Sequence, residues 1–169
     1  LMRALPVAEA LAIAGSGRKG EIAVLATLSE GGLDVAVSGG KPLDEALRLK
    51  LSEAAQHLDL ARLAWDGEVV VTRQLPVQRF GRAQVVPPPG AFLQATAHRE
   101  ATLRDAVMGI TRGAKTVADL FAGCGTFALP LSEQAEVLAV EGDRDMTDAL
   151  EQGWRRAGGL HRLRPMVRD

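Results

Sequence analysis

"TVADLFAGCGTFALPL", residues 116–131, is the stretch whose reading decides the fold. An apolar run stops at an acid, Asp119, a tight glycine loop follows, and the apolar pattern then resumes. That order predicts a strand, a glycine turn and a helix start, with Asp119 at the hinge. The glycines alone admit several ligands, so the residues on either side of them carry the argument.

Working outward, the flanking segments continue the alternation. Residues 97–111 predict a helix with Ala101, Ala106, Val107 and Ile110 inward. "TVADLF" is a short strand, 125–133 a helix start, "EVLAVE" (136–141) a second strand, 143–157 a second helix and "RPMVRD" (164–169) a third strand. Strands alternating with helices imply a parallel sheet with right-handed crossovers, a Rossmann-like βαβαβ half in the α/β class.

Upstream, "VVPPPGAFLQ" (85–94) marks a break. Consecutive prolines hold the backbone near polyproline geometry and continue neither a helix nor a central strand, which predicts a short, stiff linker. Two domains follow from it: a small α+β unit over 1–89, and the alternating unit over 90–169. In the first, residues 6–14 predict a helix, with a strand as the weaker option. "EIAVLATL" and "LDVAVS" predict a hairpin turning at Gly31–Gly32. Residues 43–57 place Leu43, Ala46, Leu47, Leu51 and Ala54 at helical spacing. "LARLAWDGEVVVTR" predicts a second hairpin, since Asp66–Gly67 suits a two-residue turn. "VQRFGRAQVV" adds a strand or two. His57 and His98 read as surface or capping residues, and Trp65 as packing.

Composition limits the alternatives. The chain has 169 residues, 47% hydrophobic and 24% charged, which is globular and long enough for a real core. No window approaches the uninterrupted apolar length of a membrane span. The opening "LMRALPVAEALAIAG" lacks a charged leader and is broken by Glu9, and a start on Leu points to a fragment. One cysteine precludes an internal disulfide and a cysteine-only metal site within these residues, and a reducing cytoplasm is the default expectation. Net charge is −1, with ten basic and ten acidic residues up to residue 89 and ten and eleven after it. Charge therefore gives no footprint for nucleic acid. Arg155, Arg156, His161, Arg162, Arg164 and Arg168 form a local basic group that reads as a solvated helix end and loop.

In sheets of this kind ligands lie at the carboxyl ends of the strands. Asp119, Glu141 and Asp169 fall at those ends. Gly123 and Gly125 let the backbone turn sharply and approach a ligand without a Cβ in between. The spacing is G-x-G-x-x-A, with Ala128 in the last position, and by itself that also suits a dinucleotide. A carboxylate at Asp119 would repel a pyrophosphate, whereas a sulfonium and an α-ammonium would welcome it. Glu141 stands where an acid can accept both hydroxyls of a ribose, a feature common to either ligand.

With "GAFLQAT" upstream, "DLFAGCGTF" and "VLAVEGD" resemble the S-adenosylmethionine-dependent RNA uracil-5-methyltransferases, which modify tRNA and 23S rRNA. The resemblance is close over 90–169 and loose over 1–89, which fits the small central domain of that family. It implies a partial class I methyltransferase fold, with S-adenosyl-L-methionine as cofactor and RNA as partner. By position, Gln94 would contact the methionine part of the cofactor, Phe121 and Thr126 would line its pocket, Glu141 would hold the ribose hydroxyls, and Asp169 would lie near the adenine. Simpler roles exist for each: a helix cap for Gln94 and Thr126, a core position for Phe121, ordinary strand-end acids for Glu141 and Asp169.

The family's chemistry needs a cysteine thiolate that adds to C6 of uracil, and a base that then removes the C5 proton. Both come from later strands of the fold, so no catalytic residue is expected here, and Cys124, inside the glycine loop, is not the nucleophile. The iron–sulfur motif of some relatives cannot be built from one cysteine. In the complete fold the first strand pairs with a fourth, so residues 116–121 are expected to leave an apolar edge open to self-association. The competing readings are a methyltransferase of another substrate, a nucleotide-binding oxidoreductase fragment and a pure interaction module.

Overall fold

A computed structural model describes residues 4–16, 20–93 and 97–168. They form two compact units, Leu1–Pro76 and Val77–Asp169, each with its own apolar core.

The first unit runs α1 (Ala4–Gly15), β1 (Ala23–Ser29), β2 (Gly32–Ser38), α2 (Glu45–His57), β3 (Leu60–Trp65) and β4 (Glu68–Thr72), in a sheet of order β1-β2-β3-β4. The helical option holds for the first segment, with Val7 and Leu11 buried. Both expected hairpins form, β1 against β2 and β3 against β4. At the second, Asp66 and Gly67 both take positive φ (46° and 85°), as a two-residue turn between twisted strands requires. Between the hairpins β2 and β3 pair in parallel, joined across α2. Asp44 caps α2 by accepting the N–H of Leu47 at 2.7 Å. Its buried stripe is Leu47, Leu51 and Ala55. Ala55 replaces the expected Ala54, and Ala46 is exposed, because the helix presents a narrow i, i+4, i+8 ridge. Trp65 is buried, with its indole N–H donating to the Lys41 carbonyl at 2.9 Å. Arg62 of β3 pairs with Asp34 of β2 through two hydrogen bonds, at 2.8 and 2.7 Å.

The second unit begins earlier than the proline segment suggests. Its first elements are β5 (Gln78–Phe80) and β6 (Ala83–Val85), an antiparallel hairpin whose Phe80, Ala83 and Val85 enter the second core. The division therefore falls at Pro76, not at residue 89, and Pro87 is itself buried. Then follow α3 (Ala97–Ile110), β7 (Thr116–Leu120), α4 (Ala128–Leu131), β8 (Glu136–Glu141), α5 (Arg144–Ala157) and β9 (Leu163–Val167). β7, β8 and β9 pair in parallel in that order, as the alternation predicts.

Two helices depart from expectation. In α3, Val107 and Met108 pack on the core, but Ala106 is exposed and Ile110 is 85% exposed, so the inward stripe is narrower than its spacing suggests. α4 is only four residues long. Pro130 has no N–H to donate back along the helix, and the chain turns at Ser132–Gln134. α5 is a full amphipathic helix. Asp143 caps it by accepting from Asp145 and Met146, and it buries Met146, Thr147, Ala149, Leu150 and Gly153.

The sheet of the second unit has two different faces. Val117, Val137, Ala139 and Leu163 belong to the core with α4 and α5. The register puts Ala118, Leu120, Leu138, Val140, Arg164 and Met166 on the other side. There Leu120 is 63% and Met166 40% exposed, although parallel sheets ordinarily have both faces covered. β7 lies at one edge, and no described strand pairs with its outer side.

Candidate cofactor-binding site

The register sets the site. Asp119 pairs with Ala139 and Leu120 with Val140, so Asp119 and Glu141 stand near the carboxyl ends of adjacent strands. From β7 the chain leaves through Phe121, whose φ is +64°, a conformation rare for a bulky residue. The Phe121 ring is 91% exposed. A core role for it is thereby excluded: the loop holds an aromatic face in solvent at the strand ends. The N–H of Ala122 then donates to the Val140 carbonyl at 2.9 Å, tying the loop to β8.

Gly123 and Gly125 follow, both at positive φ (55° and 99°). A Cβ on Gly125 would lie 2.7 Å from a methyl of Leu129 and 3.0 Å from Leu150, so only glycine lets the turn sit directly on the core. Gly123 is held from the other side of the site. Its N–H donates to one oxygen of Glu141 at 2.8 Å, while the N–H of Asp143 donates to the other at 3.0 Å. Glu141 is thus oriented by two backbone donors, and its remaining lone pairs are free to accept hydroxyls.

Asp119 is in a different state. Its Oδ2 is buried without a hydrogen-bond partner. Burial pushes its carboxyl up from 3.8 to about 6; the backbone N–H of Ala128 donates to it and partly offsets that, and the Glu141 charge adds to it. The folded chain therefore holds this proton more tightly than the unfolded one. The charge costs nothing below about pH 4 and its full penalty above about pH 6, so this group makes stability fall as pH rises through that window.

Thr126 is half-buried beside the glycines. It is not the cap of α4, whose N-terminal position is Phe127, with no side-chain capping bond. Cys124 is buried, and burial above all pushes its thiol up to about 12, so it stays protonated and unreactive. Gln94 and Asp169 lie outside the described residues. The structure thus gathers Asp119, Phe121, Gly123, Gly125, Thr126 and Glu141 at one end of the sheet. Asp143, which sequence reasoning passed over, has a double role as helix cap and as anchor of Glu141. An acid directly before a helix, in "EGD", was the available signal.

A three-stranded parallel sheet with helices crossing on one side, acids at the strand ends and a glycine loop between them is part of a Rossmann-like, class I methyltransferase fold. Solved structures agree on the fold. A tRNA (uracil-54, C5)-methyltransferase of Pyrococcus abyssi, in complex with S-adenosyl-L-homocysteine, superposes with a TM-score of 0.70 at 14% identity, over 99% of this chain and 45% of that one. Methanocaldococcus jannaschii Trm5, in complex with adenosine, gives 0.59 at 17% identity, over 89% of this chain and 49% of that one. No family model matches the chain.

Sequence comparison takes the assignment further. The chain is 43% identical over 141 residues to an uncharacterised RNA methyltransferase of Brucella suis, covering 83% of this chain and 34% of that protein. It is 45% identical over 143 residues to one of Mesorhizobium japonicum, covering 85% and 35%. It is 34% identical over 126 residues to the 23S rRNA (uracil(1939)-C(5))-methyltransferase RlmD of Aeromonas hydrophila, covering 70% and 28%. The chain is a homologue of the RNA methyltransferases, as its motifs imply, and spans about a third of the length of these curated relatives.

Proposed function

We propose that the chain is the cofactor-binding part of an enzyme that transfers a methyl group from S-adenosyl-L-methionine to C5 of a uridine in rRNA or tRNA. The observation that carries this is the pairing of two unlike carboxylates across one bare loop. Glu141 is locked by two backbone donors and Asp119 has a buried oxygen with no donor at all. A ligand with a ribose diol at one end and a cationic group at the other suits both.

The residues fit the cofactor. Glu141 would accept the ribose hydroxyls, Phe121 would offer its exposed face, Gly123 and Gly125 would let the backbone approach, and Thr126 would stand beside them. Asp119 would face positive charge. When bound, the cofactor supplies an electrophilic methyl on sulfur. These residues orient that molecule and exclude an anionic one, but supply no nucleophile, because the Cys124 thiol is buried and neutral. Gln94 and Asp169 are proposed to complete the contacts to the methionine and adenine parts. The proposed partner is RNA and the proposed compartment the cytoplasm; no described helix is long and apolar enough to cross a membrane. The domain division proposed for the enzyme remains a small α+β unit ahead of the methyltransferase unit.

Calorimetry with S-adenosylhomocysteine and with NAD tests the reading. Heat is expected with the first and not the second, and Gln94→Ala should weaken the binding by about tenfold, the worth of one or two hydrogen bonds. Heat with NAD alone, or with neither ligand, would overturn it. We also propose self-association through the edge at 116–121, supported by the open side of β7 and the exposed Leu120 beside it. Sedimentation of the isolated chain should show dimers whose fraction grows with concentration and drops in Leu120→Lys. A monomer throughout would refute it.

A further inference from the structure

Charge in the second unit is sorted by the ends of its sheet, which the even totals of the sequence conceal. Because β7, β8 and β9 run in parallel, their carboxyl ends share one side of the unit and their amino ends the other. Asp119, Glu141 and Asp143 stand at the first side. Around the second lie Lys115 before β7, Arg162 and Arg164 at the start of β9, and Arg156 in the last turn of α5. α5 leaves the carboxyl end of β8 and returns to the amino end of β9, so its last turn arrives beside them. Arg168, the last arginine of the basic run in the sequence, is at the far end, its N–H on the Glu141 carbonyl at 2.9 Å. We propose that the amino end of this sheet is a contact surface for RNA, which grips the phosphate backbone away from the methyl donor. This deepens the RNA partner proposed above and rests on that reading.

The backbone brings these groups together. The Glu136 N–H donates to the Lys115 carbonyl and the Val137 N–H to the Arg162 carbonyl, both at 2.9 Å, so Lys115 and Arg162 flank the start of β8. Two strand spacings, about 10 Å, separate their backbones. Leu163 faces the core, so alternation puts Arg162 and Arg164 together on the open face, with Arg164 in register with Leu138. Lys115, Arg156, Arg162 and Arg164 are all exposed, and none of them forms an ion pair among the described residues. Arg156 reaches only the side-chain oxygen of Gln152, at 3.4 Å. The neighbouring Arg155 and Arg82 are already matched, with Glu151 and Glu133. Arg82 extends to the same turn, 3.9 Å from where a Cβ on Gly159 would be. Glu136 is the acid in their midst; it is exposed, in no ion pair, and too little to cancel the positive groups around it. Exposed like charges gathered this way repel one another and attract a polyanion. Guanidinium forks match phosphate oxygens two at a time, which favours a nucleic acid backbone. Contacts of that kind position a strand without reading its sequence. β9, five residues long at about 3.3 Å each, sets this surface roughly 16 Å from the cofactor loop.

Fluorescence anisotropy of the chain with a labelled single-stranded RNA of about sixteen nucleotides, at rising salt, tests this. The variant Arg162→Gln with Arg164→Gln should bind at least about tenfold more weakly at low salt. Its slope of log affinity against log salt should flatten by about 1.4, two phosphate contacts at ~0.7 each. Arg168→Gln removes the same charge at the other end of β9 and should change the affinity by less than about twofold. The double variant should melt as the unmodified chain does and give the same heat with S-adenosylhomocysteine, since both side chains are exposed and far from the loop. RNA binding undiminished in the double variant, or diminished as much in Arg168→Gln, would overturn this surface and leave the cofactor reading standing. Absence of RNA binding even at low salt would overturn it as well, and retention on phosphatidylserine vesicles in that case would assign the patch to a membrane. Absence of heat with S-adenosylhomocysteine in the unmodified chain is the separate failure, that of the cofactor reading.

Discussion

Glu141→Ala is expected to weaken S-adenosylhomocysteine binding by at least about a hundredfold while leaving the chain folded. Hydrogen bonds to a charged acceptor are worth about 1.5–3 kcal/mol each, and a ribose diol makes two. Losing both exceeds the roughly 2.7 kcal/mol that corresponds to a hundredfold in affinity. The same change frees the N–H groups of Gly123 and Asp143, which hold the loop to the end of β8. The Asp143 bond is exposed and the Gly123 bond only part-buried, so the loop loosens and the core does not suffer. Glu141→Gln should fall between, since its carbonyl oxygen can keep one of the two backbone donors. Calorimetry gives the affinities, and thermal unfolding checks the fold. Affinity within threefold of the unmodified chain in the alanine variant would remove Glu141 from the site.

Gly125→Ala is expected to unfold the second unit or bring it to the brink. An L-residue at a φ of +99° is strained in its backbone, at a cost of about 1–3 kcal/mol. The added Cβ would also meet Leu129 at 2.7 and 2.8 Å and Leu150 at 3.0 Å. Both leucines are fully buried and have no free volume to withdraw into, so overpacking adds about 1–3 kcal/mol. The total is a large share of the ~5–15 kcal/mol that holds an ordinary domain together. Heating should show the transition of the second unit moving down steeply while that of the first stays in place. Ligand binding should disappear with it. A second unit that melts at its usual temperature would mean the loop is far more compliant than its contacts imply.

Much of this architecture is legible in the residues because local signals agree with the tertiary outcome. "EVLAVE" and "TVADL" have strand character between glycine and helix punctuation, and they pair in the parallel order that alternation demands. Asp66–Gly67 specifies its turn almost alone. Where reading failed, a distant partner decided. Phe80, Ala83 and Val85 look like an extension of the first unit until the core of the second is seen to claim them, and no local pattern states that. The periodicity of α3 overstates its buried side because apolar residues such as Ile110 also occur where nothing packs. Pro130, by contrast, is a local signal for a short α4. The acids of the site were legible as strand-end positions. Their differing states were not: the bond from Gly123 to Glu141 spans 18 positions of sequence, and the buried oxygen of Asp119 exists only once the loop has closed over it.

The placement of the two tryptophans has a practical consequence. The chain has no tyrosine, so its near-ultraviolet emission comes from Trp65 and Trp154 alone. Trp65 is 1% exposed among the apolar side chains of the first unit, whereas Trp154 is half-buried on α5 with its N–H on the His161 carbonyl. Each unit thus carries its own fluorophore, one in a dry setting and blue-shifted, the other partly wetted and red-shifted. Spectra recorded along a denaturant series can report the two halves separately, with no label attached.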